Sequence, residues 1–108
     1  MGSYRDKLDI VADILTVAIR NPKKTQIMYQ ANLSFRVLQK YLAAISGALL
    51  ISFDDETQSY ALTSKGESFL EAYRQYSKSN RHAEQIIEQV NLKRAALEKL
   101  FSQNVQIP

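Results

Sequence analysis

The chain has 108 residues, 45% hydrophobic and 23% charged, with a net charge of +3 and an isoelectric point near 9.2. That length holds one compact domain, or a smaller domain plus one extended element, and excludes a typical two-domain enzyme. There is no cysteine, so a disulfide framework and a thiolate metal site are excluded.

From Tyr4 to Arg20 the apolar residues Leu8, Val11, Ile14, Leu15, Ala18 and Ile19 recur at spacings of three and four, opposite Asp6, Asp9 and Asp13. This predicts an amphipathic helix whose early acids suit the positive end of its dipole. Asn21-Pro22 ends it, because proline disfavours helical geometry in the preceding residue. A short second helix follows over about Lys24 to Ala31, with Ile27 and Met28 turned inward, and Asn32-Leu33 forms a tight connection. Ser34 stands where an N-cap belongs, before a third helix whose inward stripe is Leu38, Tyr41, Leu42 and Ile45 and whose end is Ser46-Gly47. Two helices joined in this way form a helix-turn-helix unit.

The period then changes. Leu49 to Phe53 and Ser59 to Leu62 are strand-like, and the polar Asp54 to Gln58 between them is turn-prone, so this segment is expected to be a hairpin. Thr63-Ser64 caps a final helix that runs without proline to Phe101. Along it Phe69, Tyr73, Tyr76, Asn80, Ala83, Ile87, Val90, Arg94, Leu97 and Phe101 alternate spacings of four and three, the seam of a coiled coil. The fold class expected is mainly α (α+β): a winged helix-turn-helix domain over 4–64 with a two-stranded wing, a coiled-coil dimerisation helix over 65–101, and a flexible tail over 102–108.

In this order the elements resemble those of the small archaeal winged-helix proteins associated with chromatin. The likeness is carried by Arg5-Asp6-Lys7-Leu8-Asp9-Ile10, Lys23-Lys24-Thr25-Gln26-Ile27-Met28-Tyr29, Ala31-Asn32-Leu33-Ser34, Tyr41-Leu42 and Tyr60-Ala61-Leu62-Thr63-Ser64-Lys65-Gly66. The resemblance implies DNA binding, a nucleoid-associated place in the cytoplasm, and an antiparallel coiled-coil homodimer. The seam itself favours the same orientation. An antiparallel register centred at Gln85 stacks Tyr76 on Arg94 and Ala83 on Ile87 of the second copy, whereas a parallel pair sets Arg94 against its own copy. One departure from the family pattern is the wing tip, Asp54-Asp55-Glu56, where contact with phosphate would call for Lys or Arg.

Charge placement points to where DNA is expected to bind. Between Asp13 and Asp54 there is no acidic residue, while Arg20, Lys23, Lys24, Arg36 and Lys40 all fall in that interval. Such a bias is either a solvated face or the footprint of a polyanion. On the outward side of the third helix, Arg36 and Gln39 are the candidate base contacts, since Arg pairs with guanine and Gln with adenine. Ser34 and Lys40 are assigned to phosphate. Lys23, Lys24, Thr25 and Gln26 open the second helix, where backbone donors attract phosphate. Arg20 either joins them or offsets the C-terminal charge of its own helix. Phe35 reads as a core residue, with an exposed apolar contact as the alternative.

No catalytic group of residues is visible. His82 is the only histidine, and the three glycines at 2, 47 and 66 form no phosphate loop. No enzyme activity, cofactor, metal, membrane contact or small-molecule ligand is expected. The partners expected are double-stranded DNA and a second copy of the chain. The alternative function is a protein-interaction adaptor that uses the winged helix only as a scaffold, a reading that the acidic wing tip favours.

Overall fold

The first helix starts where its cap allows. In the computed structural model of the protein, which describes residues 4–102, helix α1 spans Lys7–Ala18 behind the N-cap Asp6. The Asp6 carboxylate accepts from the backbone N–H of Asp9 at 2.9 Å, and the Asp9 carboxylate accepts from that of Asp6 at 3.0 Å. Two donors that the helix leaves unpaired are thereby satisfied reciprocally. The capping box starts the helix three residues later than apolar periodicity alone predicts. Ile14, Leu15 and Ala18 are fully buried, whereas Leu8 and Ile19, expected on the same stripe, are exposed at its two ends.

Helix α2 spans Lys24–Gln30 and α3 spans Phe35–Gly47. Asn32, between them, takes a left-handed φ of 55°, a conformation that asparagine tolerates better than most residues. The turn is held from outside by Arg5. Its guanidinium donates to the carbonyls of Ala31 at 2.6 Å and Asn32 at 2.8 Å and pairs with Asp13 at 2.8 Å. A cation thus meets the negative end of α2 and neutralises an acid of α1 in one contact.

Helix α3 begins as expected, with the Ser34 hydroxyl accepting from the N–H of Val37 at 3.2 Å. It ends differently. The N–H of Leu50 donates to the carbonyl of Ile45 and that of Leu49 to Ser46, the paired bonds of a Schellman close. The left-handed residue of this motif is Leu49, at φ 64°, and not Gly47, which remains helical.

Strands β1 (Ile51–Asp54) and β2 (Ser59–Leu62) pair antiparallel, with Ile51 opposite Leu62 and Asp54 opposite Ser59. β1 starts two residues later than the apolar run suggests, because Leu49 and Leu50 are used to close α3. The N–H of Tyr60 also donates to the carbonyl of Pro22 at 2.8 Å, which ties the hairpin to the turn after α1. Helix α4 spans Ser64–Ser102. Thr63 caps it, its hydroxyl accepting from the N–H of Gly66 at 3.0 Å while donating to the carbonyl of Leu49 at 2.7 Å. Of the tail expected over 102–108, Ser102 is helical and the rest lies outside the described residues.

The chain divides after Arg74 into two compact units. In the first, Ala12, Ile14, Leu15, Ala18, Ile27, Ala31, Leu38, Leu42, Ile45, Leu50, Ile51 and Leu70 form one core. Leu70, which the heptad pattern passes over, is buried, and Phe69 and Tyr73, which that pattern puts in an inter-chain seam, pack against this core. The reason is local: the opening turns of α4 cover the hairpin and α1 within the same chain. Gly66 makes the approach possible, since a Cβ there would lie 2.2 Å from the carbonyl oxygen of Leu50. In the second unit the helix is continuous from Gln75 to Ser102, and Ile86, Ile87, Val90, Leu92, Leu97, Leu100 and Phe101 are all exposed on the single chain.

Candidate nucleic-acid interface

Helix α3 has two faces with different chemistry. Leu38, Leu42 and Ile45 are buried, and a helix that turns those three inward must turn Arg36, Gln39, Lys40 and Ala43 outward; all four are exposed. Ser34 is exposed at the helix start, with its hydroxyl engaged in the cap. Phe35 lies at the edge of this face, three residues before buried Leu38 and four before Gln39. It is 59% exposed, not a core residue as expected, because as the first helical residue it precedes the inward stripe by one turn. Helix α2 meets this face at its own first residue. The Lys24 ammonium sits 4.6 Å from the centre of the Phe35 ring and 3.5 Å from the Gln39 side-chain oxygen. The structure therefore brings Lys24, Phe35 and Gln39 together in one cluster, and the Lys40 ammonium lies 6.0 Å from the Tyr41 ring close by in sequence.

The other expected contacts are placed less uniformly. Lys23, Thr25 and Gln26 are exposed at the start of α2, and Arg20 is exposed just after α1. The backbone N–H of Lys23, expected to be available to phosphate, instead donates to the Gln26 side-chain oxygen at 2.8 Å. That bond occupies Gln26 as well, so in this segment the lysine side chains, and not the first backbone donor, are what a polyanion would meet. Among the described residues the ion pairs are Arg5 with Asp13, Arg74 with Glu71 and Arg94 with Glu98. None of these uses a cation from the acid-free interval.

The wing tip is organised by its own acids. The Asp54 carboxylate accepts from the backbone N–H of Glu56 at 2.9 Å, and the Gln58 side chain donates to the carbonyl of Asp55 at 2.7 Å. Asp54 thus has a turn-forming role, and no cation replaces it at the tip. Phe53 and Tyr60 pack across the hairpin with ring centres 4.9 Å apart and planes tilted by 53°.

Two groups away from this face were not legible as a pair. The Tyr73 hydroxyl donates to the Asp9 carboxylate, and this bond, with the Asp6 backbone N–H, holds Asp9 below its ordinary 3.8. The same bond, then burial, pushes Tyr73 up to about 12. Asp9 therefore closes the cap of α1 and anchors the first turns of α4. A separation of 64 residues hides such a pairing from any local pattern, and Arg5, whose partners lie 8 to 27 residues away, is hidden for the same reason. Among the described residues no group of His, Cys, Asp or Glu is arranged to hold a metal ion, and no helix is long and apolar enough to cross a membrane.

Known proteins share this arrangement. The winged helix-turn-helix family matches residues 4–81. An uncharacterized protein of Methanocaldococcus jannaschii is 41% identical over 69 residues, which cover 62% of this chain and 31% of that protein. The chain thus spans about a third of the length of the curated relative it matches. Among solved structures, Sso10a-2, a DNA-binding protein from Sulfolobus solfataricus, superimposes with a TM-score of 0.75 at 24% identity, over 81% of this chain and 94% of that one.

Proposed function

The chain belongs to the winged helix-turn-helix family, and from that premise we propose that it is a non-enzymatic protein that binds double-stranded DNA as a homodimer. The observation that carries this reading is the outward face of α3 together with the start of α2: four basic residues, with Arg20 just after α1 as a fifth, no acid between Asp13 and Asp54, and, among the described residues, no ion pair that uses the charge. A DNA duplex is the partner whose charge density suits such a face, and a helix with its buried stripe fixed in this way presents its N-terminal residues to the major groove. Sso10a-2 of Sulfolobus solfataricus, which has the same fold, is a DNA-binding protein, and this is consistent with the reading.

In this proposal Arg36 and Gln39 read base edges, while Lys23, Lys24, Lys40 and Arg20 neutralise phosphates, with Thr25, Ser34 and Gln26 at the margin of the contact. The wing contributes shape and not charge. The segment 4–64 is the DNA-binding part. Dimerisation is by the stripe of α4 from Tyr76 and Asn80 through Ala83, Ile87, Val90 and Arg94 to Leu97 and Phe101, antiparallel, since the exposed apolar side chains of that stripe need a partner to leave water. The protein acts in the cytoplasm as a transcription regulator or as a nucleoid architectural protein.

A salt titration tests the reading. Lys23→Ala with Lys24→Ala is expected to weaken binding to all duplexes about equally and to flatten the slope of log affinity against log salt by up to about two. A loss on one sequence only contradicts the phosphate assignment, and no binding even at low salt favours the adaptor reading. The ratio of specific to non-specific affinity at one stated salt separates regulator from architectural protein. Spin labels at Lys99→Cys test the orientation of the dimer: antiparallel pairing about Gln85 puts them about 42 Å apart at the helical rise, and a separation of about 10 Å, the spacing of adjacent helices, contradicts it.

A further inference from the structure

The cluster at the start of α3 holds a residue with no part in the phosphate and base contacts above. Phe35 is 59% exposed, yet a phenylalanine kept in water forgoes the burial that the core one turn further along gives Leu38. Its outward position is held by chemistry: the Lys24 ammonium lies over one ring face at 4.6 Å and reaches the Gln39 oxygen at 3.5 Å. One face of the ring thereby meets a cation, while the residue as a whole stays exposed beside Gln39. Phe35 and Gln39 are four residues apart and so share one side of the helix.

We propose that Phe35 is a specificity-determining residue whose ring packs on the C5-methyl of a thymine in the major groove, next to an adenine read by Gln39. The inference rests on the DNA-binding function proposed above. It follows from what this surface lacks. A ligand meeting a face with no carboxylate from residue 14 to 53 is anionic, and the apolar group that a DNA duplex offers in its major groove is the thymine methyl, which aromatic and small apolar side chains contact. Gln39 supplies the paired donor and acceptor that match adenine N7 and N6. A lysine over the ring places its charge where the backbone of the same site passes, so that one cluster combines charge, apolar contact and hydrogen-bond readout. The preference implied is for adjacent A·T pairs.

Two otherwise identical A·T-rich duplexes test this, one with thymine and one with deoxyuridine throughout, since the exchange deletes the methyl and leaves every hydrogen-bonding group in place. The full chain is expected to bind the thymine duplex about fourfold more tightly for each contacted methyl, the effect of burying one such group. Phe35→Ala is expected to lose this preference and bind the two duplexes equally, and Phe35→Leu to keep most of it. Phe35 leaves no core cavity when truncated, and unchanged far-ultraviolet circular dichroism verifies this. Equal affinity of the unmodified protein for both duplexes overturns the proposal, as does a thymine preference that survives Phe35→Ala. Failure to bind either duplex at low salt overturns the DNA-binding function itself, a separate result.

Discussion

Up to Arg74 the chain builds an apolar core of its own; from Gln75 to Ser102 it builds none. In the first region twelve buried side chains form one core, and no buried side-chain polar atom among the described residues lacks a partner. In the second the helix keeps its backbone bonds but leaves Ile87, Val90, Leu97 and Phe101 in water. An isolated amphipathic helix is marginal in water, and packing of its apolar face supplies most of its stability. The comparison teaches that the same kind of periodic pattern has two meanings, set by whether other elements of the chain cover it. In α4 the change of meaning falls within about two turns, between Phe69 and Tyr73, which pack against the core, and Tyr76, which is exposed.

The largest expected effect breaks the first region from inside. Gly66→Ala puts a methyl 2.2 Å from the Leu50 carbonyl oxygen and 2.6 Å from the Leu62 side chain. Because the first of these atoms belongs to the backbone, relief requires moving α4 away from the core, and we expect a loss of about 3 kcal/mol or more in urea unfolding. A loss below ~1 kcal/mol would show that this approach can relax.

The second region is broken from outside. Leu97→Lys places a cation in the proposed seam at a site where the single chain buries nothing, so the winged domain is expected to keep its amide-exchange protection while the dimer weakens. A cost of about 2.5 kcal/mol for an unpaired polar group corresponds to an increase of about sixtyfold in the dimer dissociation constant for each of the two copies of the substitution. Sedimentation equilibrium measures it. A dimer of unchanged affinity would place the seam elsewhere.

A smaller effect sharpens the boundary between the regions. Tyr73→Phe removes the hydroxyl that ties α4 to Asp9, with an expected cost of about 1 to 2 kcal/mol near neutral pH. Its pH dependence has two limbs. The Tyr73 pKa is raised when folded, to about 12 from 10.0, so its contribution is fully present below pH 10 and is lost as the pH rises towards 12. Asp9 is lowered from 3.8 when folded, so its contribution is present above that value and is lost as the pH falls through the folded pKa. Tyr73→Phe is expected to flatten the alkaline limb of thermal stability. An alkaline loss of the same size in the variant would assign that limb to another group.

The smallest expected effect has the opposite sign. Gly47 is helical and exposed, and a Cβ there meets nothing within 4 Å, so Gly47→Ala is expected to stabilise by about 0.5 to 1 kcal/mol in thermal melts. Destabilisation instead would mean that the close of α3 needs the glycine after all. Two glycines of one chain thus respond oppositely to the same substitution, one at a backbone crossing and one in open space.

Much of this molecule is determined locally and was legible in the sequence. The apolar stripes of α1 and α3, the Ser34 and Thr63 caps, the β2 boundaries and the acid-free interval are all set by residues within a few positions of one another, where periodicity and capping chemistry act directly. The outward positions of Arg36, Gln39 and Lys40 follow from the buried stripe alone. What only the tertiary structure decided involves pairs far apart in the chain. Arg5 reaches the turn after α2, Tyr73 reaches Asp9, and Lys24 reaches across to Gln39. Phe35 is outward because Lys24 holds its ring and the inward stripe starts one turn later. Gly47 looked like the left-handed close of α3, but the turn into the hairpin places that conformation at Leu49. Phe69 and Tyr73 have heptad spacing, yet the core takes them, because hydrophobic burial follows proximity and not sequence period.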